Sequence, residues 1–314
     1  MSVRHSSLLR IFALAAIGLI QPPAAIAGPP AAEAVNLRTD DGLRLFGDFY
    51  PPKGAKAPAP CVILLHMYRS NRLAWEPMLE PLHDAGFAVL TLDLRGHGDS
   101  ATTETAKRVE ERDPTIFAEM QQDVRAAYDW LAARKEVDRA RFALVGASVG
   151  CSIAIQYAAA DRSVDTLVCL TPGMDYLGLD SAADIKQIQG RHMLLMATED
   201  ERAACDELAR LNDGAKVRVL KGKAHGTHMF ELQTGAIAET VEFLSKNIGP
   251  ESRQPVYGSI NKNIYHAPDS EWVKEISPSN LRVYSSAQEA EARGLRKARS
   301  TGPNDRRNAA QRGR

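Results

Sequence analysis

The segment that decides the fold is residues 141–157, which read Arg141-Phe142-Ala143-Leu144-Val145-Gly146-Ala147-Ser148-Val149-Gly150 and then Cys151-Ser152-Ile153-Ala154-Ile155-Gln156-Tyr157. The apolar run that ends at Val145 is typical of a strand covered on both faces of a sheet. The apolar residues after Gly150 predict a helix. A sharp turn between the two requires small residues two positions before and two positions after Ser148. The sequence therefore predicts a strand, a tight corner carrying Ser148 at the carboxyl edge of a sheet, and a helix.

The same alternation of short apolar runs with longer amphipathic ones extends outward from this corner, from Val35 to about Ile248. Strands that alternate with helices predict an α/β fold, with a mostly parallel sheet flanked by helices. The first two strand-like runs, joined through Asp40-Asp41-Gly42, predict an antiparallel hairpin at the sheet edge. The predicted strands are 35–38, 43–50, 61–66, 88–93, 141–146, 166–171, 192–197 and 217–220.

The connection between the strands 166–171 and 192–197 is about twenty residues long. It has room for a loop and a short helix, so we expect no large cap domain. The chain has 314 residues, no net charge and four cysteines. Neutral charge argues against general nucleic-acid binding, and so few cysteines argue against a disulfide scaffold. Buried free thiols are the expected state of the cysteines.

A serine at the start of a helix suits nucleophilic catalysis. The backbone N–H groups there can stabilise a developing oxyanion, but the hydroxyl needs a base to take its proton. We expect His225 to be that base, because it lies in a glycine-containing loop after the last strand of the sheet. His228 is the alternative, and we expect it to begin the following helix or to lie at the surface.

The base needs a carboxylate that fixes its tautomer and orientation. Asp200 follows the strand 192–197, at the point where its exit loop is expected to face His225. We interpret the neighbouring Glu199 and Glu201 as solvated flanks. Asp175, which follows the preceding strand, is the alternative acid.

Residues 33–248 resemble an α/β-hydrolase of the compact dienelactone-hydrolase-like or serine-esterase-like kind. The likeness rests on Gly146–Gly150 as G-x-S-x-G and on the chain order Ser148, Asp200, His225. Two further segments carry it: Leu64–Tyr68 is similar to the H-G-x stretch after the third strand, and Leu92–Ser100 is similar to D-x-R-G-x-G-x-S. The chain departs from the family in having Met67 where a glycine is usual, and in having serine where dienelactone hydrolases commonly carry cysteine.

This resemblance implies roles for further residues. The backbone N–H groups of Tyr68 and Val149 are the expected oxyanion donors, whereas Asp93, Arg95 and His97 are expected to shape the scaffold. The implied reaction is acyl transfer from Ser148 to water with a small ester substrate, without metal or organic cofactor. A serine peptidase, an acyltransferase and a non-catalytic binding protein that retains the fold remain alternatives.

The two ends of the chain differ from the body. Arg4, His5 and Arg10, the apolar run Ile11–Ile20 and Ala25-Ile26-Ala27 predict a secretory signal over residues 1–27, and hence a periplasmic or extracellular protein without stable membrane insertion.

Tyr265-His266-Ala267-Pro268 is followed by Val273 and Ile276, and then by Tyr284, Ser286, Glu289, Ala290 and Gly294. With these residues, the segment 257–301 resembles a degenerate Ada-type metal-binding module. Ser270, Ala298 and Thr301 stand where that module has cysteines, so we expect no metal there. This appendage is a candidate contact for the cell envelope or a partner. Residues 302–314 read as a disordered basic tail.

Overall fold

The computed structural model describes residues 31–54, 58–164, 166–232, 235–250, 256–259, 261–267, 270–277, 280–284 and 286–298. The signal peptide predicted over residues 1–27 and the tail predicted over residues 302–314 lie outside these ranges. The strands are β1 (Glu33–Arg38), β2 (Arg44–Tyr50), β3 (Ala59–Leu65), β4 (Ala88–Leu92), β5 (Val137–Ala147), β6 (Thr166–Leu170), β7 (Asp175–Tyr176), β8 (Leu179–Asp180), β9 (His192–Thr198), β10 (Ala215–Leu220), β11 (Val256–Ser259), β12 (Lys262–His266), β13 (Leu281–Tyr284) and β14 (Arg296–Lys297).

The helices alternate with these strands through most of the chain. They are α1 (Glu76–Asp84), α2 (Thr103–Glu110), α3 (Pro114–Ala132), α4 (Val149–Ala160), α5 (Ser181–Asp184), α6 (Arg202–Arg210), α7 (Ala236–Ile248), α8 (Glu271–Lys274) and α9 (Ala287–Ala292). Short 3-10 turns occur at Arg72–Trp75, Gly98–Ser100, Ile185–Ile188 and Gly226–Leu232.

One sheet of eight strands organises the body, in the order β1-β2-β4-β3-β5-β6-β9-β10. The strands from β4 through β3 to β10 are parallel, whereas β2 is antiparallel to both β1 and β4. Each strand predicted from the sequence is present, and the antiparallel hairpin lies at the edge. This arrangement confirms the predicted fold class.

Helices cover both faces of this sheet, as predicted. On the central strand β3, Ile63 and Leu65 belong to an apolar cluster that includes side chains of α3 and α4. Val62 and Leu64 face the opposite way, into a cluster that includes side chains of α1 and α7. Because alternate residues of a strand point to opposite faces, a strand buried on both sides is apolar throughout.

The connection between β6 and β9 is short. It contains the two-stranded hairpin β7–β8, the single turn α5 and the 3-10 turn Ile185–Ile188. The expectation of no large cap domain is therefore confirmed. The carboxyl edge of the sheet carries the loops after β3, β5, β6 and β9.

The C-terminal residues form a second, four-stranded sheet in the order β13-β11-β12-β14. Its small apolar cluster contains Val256, Tyr265 and Ala290, and the Tyr265 hydroxyl donates a hydrogen bond to Glu291 at 2.7 Å. Ser270 Oγ lies 3.4 Å from His266 Nδ1. Across the described ranges, no group of three or more His, Cys, Asp or Glu side chains is arranged to hold a metal ion. None of the described helices combines the length and the apolar character that a bilayer span requires.

Candidate active site

The corner between β5 and α4 holds Ser148 in a strained backbone conformation. Its φ is 53° and its ψ is −119°, a combination that non-glycine residues rarely adopt and that costs about 1–3 kcal/mol. The Ser148 N–H donates to the Leu170 carbonyl at 2.9 Å, which ties the corner to the end of β6. The structure thus presents Ser148 at the amino end of α4, as the sequence predicts for a nucleophile elbow.

The glycines on either side of Ser148 leave no room for a side chain. A Cβ atom on Gly146 would lie 2.3 Å from the Gly150 carbonyl oxygen, and one on Gly150 would lie 2.2 Å from the Leu65 carbonyl oxygen. Both distances are far below van der Waals contact with backbone atoms that cannot rotate away. The elbow therefore packs directly on the end of β3, which explains why small residues are needed there.

Hydrogen bonds of the buried His66 ring hold the turn after β3 in place. Its Nδ1 donates to the Met67 carbonyl at 2.8 Å, while Nε2 accepts from the Leu94 N–H at 3.1 Å. Burial lowers the pKa of His66 to about 3, so the ring is neutral and can play both roles. His66 thus joins the turn after β3 to the loop after β4.

The two predicted oxyanion donors occupy neighbouring segments of the same edge. Val149 is the first residue of α4, so its amide has no acceptor within the helix. Tyr68 follows the turn that packs on the elbow, and its hydroxyl donates to the Val109 carbonyl at 3.3 Å. That contact anchors the Tyr68 side chain toward α2. The joint role of the two amides remains a prediction.

The loop that carries His225 reaches the same corner. A Cβ atom on Gly226 would lie 2.8 Å from Met67 Sδ and 3.4 Å from the Ala147 Cβ. The residue after His225 is therefore wedged between the turn after β3 and the residue before Ser148. Among the described residues, no hydrogen bond joins Ser148 Oγ to the His225 ring. Such bonds are often long before substrate binds.

The carboxylate beside His225 is that of Glu201. His225 Nδ1 lies 2.9 Å from both of its oxygens, and the side chains are 45% and 38% exposed. Asp200, the residue predicted for this place, instead accepts a hydrogen bond from Thr198 Oγ1 at 2.7 Å.

The physical reason is a tight turn. The Glu201 N–H donates to the Thr198 carbonyl at 3.1 Å, and Asp200 lies inside that turn with its side chain folded back on Thr198. Glu201 closes the turn, and its carboxylate lies beside His225. The expectation that Glu201 is a solvated flank is corrected: its carboxylate is the hydrogen-bonding partner of the histidine.

The alternative residues lie elsewhere. His228 is on the 3-10 turn Gly226–Leu232, is mostly exposed and pairs with Glu231 at 3.2 Å. Asp175 is an exposed residue of the hairpin β7–β8. His97 is buried against the His66 ring at a centroid separation of 4.8 Å, and its Nδ1 contacts the Arg95 carbonyl at 3.1 Å.

The loop after β4 is held by two buried charges. The carboxylate of Asp93 accepts from the Arg72 and Asp99 backbone N–H groups, both at 2.8 Å, and forms an ion pair with the Arg72 side chain. The buried Arg95 side chain pairs with Asp123 at 2.8 Å and also contacts Asp41 and Glu119. These bonds join the loop to its surroundings, which is the structural role that the sequence suggested.

The four cysteines are buried free thiols, as expected from their apolar surroundings. Burial raises the pKa of the Cys205 thiol to about 12 and shifts that of Cys61 upward as well. Cys151, in α4, shares its one thiol proton between the Gly146 and Leu170 carbonyls, at 3.2 and 3.3 Å from Sγ. The thiol therefore helps to support the elbow rather than acting as a nucleophile.

Known proteins resemble this chain in sequence and in fold. Two uncharacterised proteins of Mycobacterium tuberculosis, Rv2307c and MT2364, are each 31% identical over 150 residues, which is 48% of this chain and 49% of theirs. The chain thus matches about half the length of these curated relatives.

Two solved structures share the fold at low identity. The esterase Pf2001 of Pyrococcus furiosus superposes with a TM-score of 0.57 at 20% identity, over 70% of this chain and 94% of that one. A dienelactone hydrolase of Anabaena variabilis superposes with a TM-score of 0.56 at 20% identity, over 70% and 97%. At such identities the likeness concerns the fold alone.

The family assignment comes from a match over the centre of the body. Residues 60–220 match the model of the alpha/beta hydrolase fold. This region runs from β3 to the end of β10 and includes the strand-to-helix corner with Ser148 and the turn with Glu201. From this match, the sheet order and the elbow geometry together, we conclude that the chain belongs to the α/β-hydrolase family.

Proposed function

We propose that this protein is an exported serine hydrolase that cleaves carboxylic esters through an acyl-enzyme on Ser148. The observation that carries the proposal is the meeting of three segments at one corner. Gly226, next to His225, packs between Met67 of the turn after β3 and Ala147 of the elbow. A nucleophile, a base and oxyanion donors thus come from three loops of one sheet edge.

The reaction follows from these groups. Ser148 Oγ attacks the ester carbonyl while His225 Nε2 takes its proton, and Glu201 at Nδ1 holds the ring and offsets its positive charge. The amides of Val149 and Tyr68 bind the oxyanion. Each such donor is worth about 2.7–4 kcal/mol in barrier height where it has been measured in other enzymes.

The second half of the cycle reuses the same residues. His225 gives its proton to the leaving alcohol, and the carbonyl re-forms as the acyl-enzyme on Ser148. Water then attacks the acyl carbon, with His225 again as the base. The strained backbone of Ser148 keeps its side chain at the corner throughout both steps.

Export and the appendage complete the proposal. The predicted signal at residues 1–27 supports a periplasmic or extracellular location. The small C-terminal sheet is proposed as a contact with the cell envelope or a partner protein, separate from the hydrolase site.

Hydrolysis of p-nitrophenyl acetate and butyrate tests the proposal, with the Ser148→Ala variant as the control. We expect turnover by the native chain and loss of it in the variant, with an unchanged melting temperature or a higher one. Aminoacyl p-nitroanilides, and an added alcohol as acceptor, test the peptidase and acyltransferase alternatives. Equal turnover by Ser148→Ala would overturn the serine mechanism.

A further inference from the structure

Two buried threonines bond to the peptide groups on either side of His225. Thr171 follows β6, and its Oγ1 accepts a hydrogen bond from the Gly226 N–H at 2.8 Å. Thr198 ends the neighbouring strand β9, and the one proton of its hydroxyl is shared between the Asp200 carboxylate at 2.7 Å and the Ala224 carbonyl at 3.1 Å. Both threonines are at most 4% exposed. The residue before His225 and the residue after it are thus each fixed to a different strand of the sheet.

Thr171 also connects this loop to the nucleophile. Its hydroxyl donates to the Leu170 carbonyl at 2.8 Å, and that same carbonyl accepts the Ser148 N–H at 2.9 Å. A hydroxyl has one proton to donate and lone pairs to accept with, so both of its roles are used here. One carbonyl and one hydroxyl therefore link the backbone of Ser148 to that of Gly226.

The backbone of Thr171 is itself unusual. Its φ is 53°, in the left-handed region that a β-branched residue rarely enters. Its N–H donates to the Met196 carbonyl of β9 at 2.7 Å, which holds it in place. A buried residue keeps a strained backbone conformation only where the packing and hydrogen bonds around it hold that conformation in place.

Thr198 makes the matching connection to the carboxylate. It begins the turn in which Asp200 accepts from its hydroxyl at 2.7 Å and Glu201 donates its N–H to the Thr198 carbonyl at 3.1 Å. The same side chain therefore contacts the loop of His225 and the turn that presents Glu201.

We infer that Thr171 and Thr198 are positioning residues that set His225 against Ser148 and Glu201. This inference rests on the proposed serine mechanism and deepens it. The His225 ring is half exposed and, within the described part of the chain, Glu201 is the side chain that hydrogen bonds to it, so the place of the ring relative to Ser148 depends on its backbone. A displacement of about 1 Å at a catalytic group can reduce turnover by about 100-fold.

Matched substitutions separate positioning from packing. Valine keeps the branched shape of threonine but removes the hydroxyl, whereas serine keeps the hydroxyl and removes the methyl group. Thr166 is the control, because it begins the same strand β6, is fully buried and, among the described residues, has no partner for its hydroxyl. Thr166→Val should therefore leave activity unchanged.

The experiment measures kcat and KM for p-nitrophenyl butyrate, together with the rate of fluorophosphonate labelling, in Thr171→Val, Thr171→Ser, Thr198→Val, Thr198→Ser and Thr166→Val. We expect each valine variant at 171 and 198 to lose about 10- to 100-fold in kcat and labelling rate, with KM within about twofold. The serine variants and Thr166→Val should stay close to the native chain.

Two results would overturn the inference. One is a folded Thr171→Val variant, judged by its melting curve, that keeps native kcat. The other is a serine variant that loses as much as its valine counterpart, because the methyl group and not the hydroxyl would then matter. If a valine variant does not fold, the kcat of the corresponding serine variant remains the test, because a loss of kcat in that variant would still contradict a role for the hydroxyl. Ser148→Ala, measured alongside, shows separately whether the serine mechanism itself fails.

Discussion

Replacing Glu201 by glutamine tests which carboxylate orients the base. The change removes the charge 2.9 Å from His225 Nδ1 and keeps the size and an amide oxygen that can still accept a hydrogen bond. Asp200→Asn is the matched control on the adjacent residue, because an asparagine oxygen can still accept from Thr198 Oγ1. We expect Glu201→Gln to lower kcat for an ester substrate and Asp200→Asn to change it little.

The size of the effect follows from the exposure of the pair. In a buried triad of another enzyme, a comparable change costs about 10⁴-fold in kcat. Here the two side chains are 45% and 38% exposed, so solvent screens their attraction. Two charges about 4 Å apart attract by about 1 kcal/mol in water and about 4 kcal/mol at a protein surface. Since 1.36 kcal/mol is tenfold in rate, Glu201→Gln should cost roughly 5- to 900-fold.

The assay is the steady-state hydrolysis of p-nitrophenyl butyrate at several salt concentrations. Added salt should reduce the native rate toward that of Glu201→Gln, because the attraction being removed is partly screened. A larger loss in Asp200→Asn than in Glu201→Gln would refute the assignment and return the role of the acid to Asp200.

Three further predictions concern stability and reactivity. Ser148→Gly should abolish labelling and stabilise the fold by about 1 kcal/mol, or about 2–4 °C in melting temperature, because glycine tolerates the φ of 53°. The folded state keeps His66 neutral down to its pKa of about 3 whereas the unfolded chain takes up that proton near pH 6.5, so stability falls as the pH falls. Between pH 7 and pH 5 the native chain should lose about 2 kcal/mol more than His66→Gln in chemical denaturation. Ellman's reagent should find no fast-reacting thiol in the folded chain and all four after unfolding, because each is buried: Cys61, Cys151, Cys169 and Cys205.

The main features of the fold could be predicted because they depend on local pattern. A strand covered on both faces is apolar throughout, so β3 and β6 could be predicted from their uninterrupted apolar runs. The small residues at Gly146 and Gly150 could be predicted for a steric reason, since neither position has room for a Cβ atom. The four-stranded C-terminal sheet was not predicted from the sequence.

The carboxylate that lies beside His225 could not be predicted in the same way. Asp200 and Glu201 are adjacent and chemically alike, and their directions depend on whether the Thr198 hydroxyl binds the first of them. That hydrogen bond depends on the geometry of the turn, and no periodic pattern in the sequence predicts a turn of this kind. Thr171 likewise looks like the last residue of a strand, and its role depends on the loop that begins at the end of β10.

Mass spectrometry of the fluorophosphonate-labelled protein shows directly whether Ser148 is the nucleophile. We expect a single adduct on the peptide that contains Ser148, absent in Ser148→Ala and formed more slowly in His225→Gln. An adduct on another residue, or a folded protein that takes up no label, would contradict it.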